Sequence, residues 1–177
     1  VAGANNSNMA GDFPAFIMGY LGEQIGQSIE NSIWTDMTTN LAADATVVDV
    51  AAATLSAANI VVELGKVRDA APRTVFGKED LRYYAGTDAI SFYAYHAGDV
   101  PLTFEGVEIV HCPGLADNKL VCARVSNLFV GVDLASDAVN FKTIDMRDTT
   151  GANSIRIAAN FSIGAQHAVG ADVVLYA

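Results

Sequence analysis

At 177 residues with 51% hydrophobic side chains, the chain is long enough for one domain with a full core, or for two small lobes. No stretch approaches the ~18 to 20 uninterrupted apolar residues that span a bilayer. A formal charge of -10, with 10 scattered basic residues, argues against a nucleic-acid reader, whose phosphate contacts need clustered Lys and Arg, and two cysteines exclude a disulfide framework.

Residues 1 to 11 are mostly Gly, Asn, Ser and Ala with almost nothing to bury, and read as a flexible lead-in without the basic and apolar regions of a signal peptide. Asp12 as N-cap and Pro14 in the first turn then predict a helix to about Trp34. Its apolar residues Phe13, Ile17, Leu21, Ile25, Ile29 and Ile33 step by four, so the stripe drifts about 40° per step and winds around the helix. Gly19, Gly22 and Gly26 share another side, costing about 1 kcal/mol each against Ala unless something packs closely there. Together these features predict a helix touched from several directions, with Gly19, Gly22, Gly26 and Trp34 as candidate contact residues.

Asp44 to Ala51 reads as a strand through its β-branched Val47, Val48 and Val50. Ser56 caps a second predicted helix that Pro72 stops, with Ala57, Ile60, Val61, Leu64 and Val67 as its inner stripe. Lys66, Arg68 and Arg73 are the nearest approach to a basic cluster, and at a helix end they complement the dipole. Thr74 to Phe76 reads as a short buried strand, and Lys78 to Ala85 as a short helix with Leu81 and Tyr84 inward. Val100 to Phe104 and Val107 to Cys112 flank Glu105-Gly106, a hairpin turn pair. A second hairpin is expected from Val107 to Cys112 through Pro113-Gly114 and Ala116-Asp117-Asn118-Lys119 to Leu120 to Ala123. Further strands read at Leu128 to Val132, Val139 to Met146, Ser154 to Ile163 and Asp172 to Tyr176, with Thr149 to Asn153 turning between the two longest.

Groups that could carry chemistry are sparse. His111 beside Cys112 has the residue types of a thiolate-imidazolium pair, but neighbours along a strand point to opposite faces. Zinc needs about four N or S ligands, and Cys112, Cys122 and His111 lack the spacing. If the two cysteines face each other across the second hairpin, they read as small buried thiols. Asp133 and Asp137 lack the alternation of a calcium loop, and Asp145 with Asp148 is too common a pairing to indicate glycoside hydrolysis. His96 and His167 are isolated and read as structural groups, and no GxGxxG, P-loop or GxSxG occurs. The residues therefore predict no catalytic, cofactor-binding or metal site, and no enzyme.

Three segments, Phe76-Gly-Lys-Glu-Asp-Leu-Arg-Tyr-Tyr, Leu102-Thr-Phe-Glu-Gly-Val-Glu-Ile-Val-His-Cys-Pro-Gly-Leu and Ser126-Asn-Leu-Phe-Val-Gly-Val-Asp-Leu-Ala-Ser-Asp, are similar in content and order to the second half of tailed-phage major capsid proteins. The resemblance implies the α+β Hong Kong-type phage capsid fold, entered at the spine helix. A peripheral domain (12-40 and 137-169) would hold the spine helix and long strands, and an axial domain (41-136 and 170-177) a mixed sheet flanked by helices. The family's N-terminal arm and extended loop have no counterpart in residues 1 to 11, so a fragment is expected.

By that resemblance the chain is a structural subunit of an icosahedral shell, or of a related encapsulin-like compartment. It would self-assemble with copies of itself in the bacterial host cytoplasm and reside in the virion capsid. Its other partners would be scaffold, portal or decoration proteins, with no sequence-specific nucleic acid, no membrane and no cofactor. The rival expectation is a soluble β-rich binding module for a carbohydrate or protein ligand, using Tyr83, Tyr84, Tyr93 and Tyr95.

Overall fold

A computed structural model describes residues 9-97, 102-132, 141-145, 155-159 and 162-177. Its longest element is α1 (Met9–Ala43), 35 residues and about 52 Å at ~1.5 Å rise per residue. The helix starts ahead of Asp12, so Asp12 is not its cap, and it runs nine residues past Trp34. The four-residue apolar step continues through Met37 and Leu41, both almost fully buried. The threonines that favour extended backbone are accommodated by bonding back one turn: Thr38 Oγ1 donates to the Trp34 carbonyl (2.9 Å) and Thr39 Oγ1 to that of Thr35 (2.7 Å).

After α1 come β1 (Val48–Val50), α2 (Ile60–Ala70), β2 (Leu81–Ala85), α3 (Thr87–Ala97), β3 (Thr103–Phe104), β4 (Val107–His111), β5 (Leu120–Arg124) and β6 (Leu128–Val132). They are followed by β7 (Phe141–Asp145), β8 (Ile155–Ala159), β9 (Ile163–His167) and β10 (Val174–Tyr176). Six strands make one mixed sheet in the order β1-β10-β5-β2-β4-β3; β1 with β10 and β2 with β4 are parallel, the other pairs antiparallel. The pairs β6-β9 and β7-β8 are separate antiparallel ribbons.

Strand register divides the core into two layers, because side chains alternate between faces. The row Val174, Cys122, Tyr83, Ile109 turns to one face, where it packs with Ile60, Leu64 and Val67 of α2 and Ala89 and Tyr93 of α3. The row Leu175, Val121, Tyr84, Val110 turns to the other face, against Ile33, Trp34, Met37 and Leu41 of α1 and Ala165 of β9. The sheet is thus covered on both sides, and central β5 is buried along nearly its whole length.

Several local expectations are corrected. Lys78 to Ala85 is not a helix: Leu81 to Ala85 is a central strand, and Tyr83 and Tyr84 are buried on opposite faces. Thr74 to Phe76 is a turn rather than a strand, although Val75 is buried. α2 begins at Ile60 because the carbonyl of Ser56 accepts the N–H groups of Asn59 and Ile60 in a preceding turn (3.1 and 3.0 Å). Its inner face carries Glu63 instead of Val61, which is 43% exposed. The first hairpin forms as expected, with Glu105 and Gly106 both at positive φ (49° and 83°), the conformation of a type I′ turn. The second does not form, because β2 lies between β4 and β5. Cys112 and Cys122 therefore bury on opposite faces of the sheet. Asp172 belongs to a 3-10 turn ahead of β10, and Ile163 opens β9. β7 and β8 pair in the register expected for a hairpin; the turn Thr149 to Asn153 lies outside the described residues.

Candidate functional site

Among the described residues, the first half of α1 leaves much of its surface unused by the fold. Phe16 is 67% and Tyr20 52% exposed, and ideal Cβ atoms at Gly19, Gly22 and Gly26 would meet nothing within 4 Å. The stripe residues Leu21, Ile25, Ile29 and Ile33 are half-buried, while the side chains of Phe13 and Ile17 lie outside the described residues. Trp34 is half-buried against Tyr84, ring centroids 5.3 Å apart, so much of it serves the core. Of the four candidate contact residues, the three glycines share a bare helix side and Trp34 stands apart from them.

Close backbone contacts fix where α1 leaves the core. At Gly114 a Cβ would fall 2.6 Å from the Glu30 backbone carbon and oxygen, so only glycine lets this turn lie on the helix. The contact explains the Pro113-Gly114 signal as a helix seat rather than a hairpin turn. Asn40 Nδ2 donates to the Ala165 carbonyl (2.7 Å) and ties α1 to β9. Beyond the helix, Asp44 accepts from the Thr46 N–H and hydroxyl through Oδ1 (both 2.8 Å) and meets His167 Nε2 through Oδ2 (2.9 Å). The hydrogen bond from His167 leads the causes that hold the Asp44 carboxyl down at about 2. The His167 side chain is 6% exposed, and its Nδ1 has no hydrogen-bond partner among the described residues.

A second clamp underlies the Ser126-Asn127-Leu128 segment. Buried Asn127 accepts the Ala168 and Val169 N–H groups through Oδ1 (3.2 and 2.8 Å) and donates to the Val169 carbonyl (2.8 Å). Asp80 takes the Arg124 guanidinium (2.9 Å) and the Ser126 hydroxyl (2.6 Å), and the Arg124 bond is the main reason its carboxyl is held well below the usual range. Asn127, Asp80, Gly114 and Gly170 were not singled out from the sequence, since each works through residues far away in the chain. Only the turn chemistry around Gly114 gave a local signal.

The candidate chemical groups are dispersed. His111 is exposed and its Nε2 lies 3.1 Å from Thr87 Oγ1, whereas Cys112 is buried on the other side. Burial pushes the Cys112 and Cys122 thiols up to about 12, so both stay protonated near neutrality. Among the described residues no three His, Cys, Asp or Glu side chains converge as metal ligands. Asp133, Asp137 and Asp148 lie outside the described residues. His96 Nε2 meets the Ala57 carbonyl. Of the four tyrosines of the binding-module reading, Tyr83, Tyr84 and Tyr93 are buried and Tyr95 alone is exposed. No helix of the described residues is long and apolar enough to cross a membrane.

No protein-family model and no curated protein matches the sequence. Solved structures do match. A chain of Mycobacterium phage Che8 superposes with a TM-score of 0.58 at 12% identity, over 93% of this chain and 61% of that one. A chain of the capsid of an empty GTA particle matches with a TM-score of 0.57 at 11% identity, over 97% and 66%. The chain has a phage capsid fold. The virus-like particle from Pyrococcus furiosus shares it, with a TM-score of 0.57 at 10% identity over 88% and 65%. The chain spans 61 to 66% of the length of these three. The long helix α1 and the six-stranded mixed sheet with α2 and α3 on one face are the helices and mixed sheet of that α+β fold.

Proposed function

We propose that this chain is a structural subunit of a phage-type capsid shell, assembling with copies of itself and carrying out no catalysis. The supporting observation is the bare first half of α1 in a fold of this kind. Three glycines lie on a side of this helix that meets nothing among the described residues, and tertiary contact is what normally holds such helices. Many identical copies supply such contacts by symmetry. The net charge of -10 suits a wall that does not grip nucleic acid. Residues 12-40 and 137-169 form the peripheral domain in this reading, and 41-136 with 170-177 the axial domain. The place of action is the virion capsid, after assembly in the bacterial host cytoplasm, with scaffold, portal or decoration proteins as further partners.

The test is electron microscopy of the protein expressed from its full coding sequence. Closed particles, tubes or capsomers are expected. A dispersed monomer at concentrations where shell proteins assemble would count against the reading.

A further inference from the structure

The stretch between β1 and α2, residues 51-56, has little apolar burial to hold it: Ala51, Ala52, Ala53 and Thr54 are exposed, and Leu55 is the residue that packs into the core. Two of its backbone bonds go to distant side chains. The Ala53 N–H donates to Tyr176 Oη (2.8 Å) and the Leu55 N–H to Asn118 Oδ1 (2.8 Å), while the Ala52 N–H meets the Ala177 carbonyl (3.2 Å). Both side-chain acceptors are set in place from elsewhere. Asn118 stands at positive φ (61°), a left-handed turn position that Asn tolerates. The Tyr176 hydroxyl has one proton for two acceptors, Glu63 Oε2 at 2.9 Å and the Ala53 carbonyl at 3.2 Å. Buried Glu63 takes it, because the hydrogen bond from Lys66 (2.9 Å) holds that carboxyl below its usual range and a charged acceptor makes the stronger bond. A lone pair of the hydroxyl is thereby left for the Ala53 N–H.

We propose that residues 51-56 are a latched strap, which swings off the core as one unit while the sheet and its flanking helices stay folded, with Tyr176 Oη and Asn118 Oδ1 as its two catches. The inference stands apart from the shell reading. Opening the strap frees the two catch bonds and Leu55, whereas opening the core exposes Leu120, Val121 and Cys122, all almost fully buried. A segment with so few buried apolar contacts opens at a fraction of the global cost. The bonds of Asn59, whose Nδ2 donates to the Thr54 carbonyl (2.9 Å) and whose Oδ1 accepts the Ser56 N–H (2.8 Å), are local and shape the pivot at the start of α2. The turn beyond them stays with the helices, since His96 Nε2 of α3 meets the Ala57 carbonyl. An open strap uncovers the Tyr176 hydroxyl, which Ala53 caps in the closed form.

The test is hydrogen exchange of the full-length protein, read amide by amide. The Ala53 and Leu55 amides should be protected relative to an unstructured chain, yet exchange at least about tenfold faster than those of β5. Tyr176→Phe removes the acceptor of Ala53, and Asn118→Gly removes that of Leu55 while keeping the positive φ at low cost. Each variant should speed both strap amides by about two- to tenfold, the worth of one hydrogen bond, and leave β5 and Leu64 of α2 unchanged. Should Tyr176→Phe loosen the whole fold by leaving Glu63 short of a donor, Asn118→Gly still reads the strap by itself. Strap amides that exchange as slowly as β5 or as fast as an unstructured chain would overturn the proposal. So would an Asn118→Gly variant that speeds only the Leu55 amide, or that speeds β5 equally.

Discussion

At Gly114 and Gly170 a single missing side chain decides how two parts of the chain meet. A Cβ at Gly170 would lie 2.4 Å from Asp44 Oδ2 and Thr46 Oγ1, and one at Gly114 would strike the backbone of α1, which cannot rotate away. Gly114→Ala should therefore cost about 1 to 3 kcal/mol of unfolding free energy in urea titration, the range for forced overpacking. Unchanged stability would mean the turn does not seat on the helix. Asp44 gives a prediction in pH. Its carboxyl is held from 3.8 down to about 2, so it contributes stability above pH ~4 that is lost as the pH falls toward 2. Asp44→Asn should flatten the melting temperature across that window; an identical acid profile in the variant would rule out the His167 contact as its source. The buried, protonated thiols of Cys112 and Cys122 should react with a thiol reagent at pH 8 only as fast as the chain unfolds.

Elements were legible where turn and stop signals bounded an apolar pattern, as at β5 and β10, and misleading where the pattern itself imitated another period. α2 and the β3-β4 hairpin follow from their stripe, stop signal and Glu105-Gly106 turn. β2 does not, because a strand buried on both faces has no alternation, and the spacing of Leu81 and Tyr84 imitates a helical turn. α3 was hidden by Phe92, Tyr93 and Tyr95, which favour strands locally but here bury Tyr93 and bond its hydroxyl to the Thr103 carbonyl (2.6 Å). The turn residues between Cys112 and Leu120 were read correctly as loop chemistry, yet nothing local reveals that β2 inserts between the strands they join. The bare glycine side of α1 was visible in the sequence; the seat that leaves it bare was not. Hydrogen exchange should separate the two halves of this helix. In the dispersed chain, amides from Gly19 to Gly26 should exchange far faster than those from Met37 to Leu41, and assembly should slow them. Equal protection in the dispersed chain would show that the first half needs no partner.

For the whole molecule, the two-faced core explains how a chain of this size holds a protruding helix. Leu120, Val121 and Cys122 of β5 are almost fully buried between α2 with α3 on one side and the end of α1 on the other. Truncating Leu64 or Leu41 to Ala should each cost about 2 to 5 kcal/mol, since each fills one of those layers. In the proposed shell, the exposed remainder of α1, acidic and glycine-floored, is the surface offered to a neighbouring copy. A reconstruction of particles formed by the full-length protein tests that claim most directly. The account predicts density for a neighbouring copy packed on the Gly19, Gly22 and Gly26 side of α1. It is contradicted if no particles form, or if that side faces solvent inside the particle.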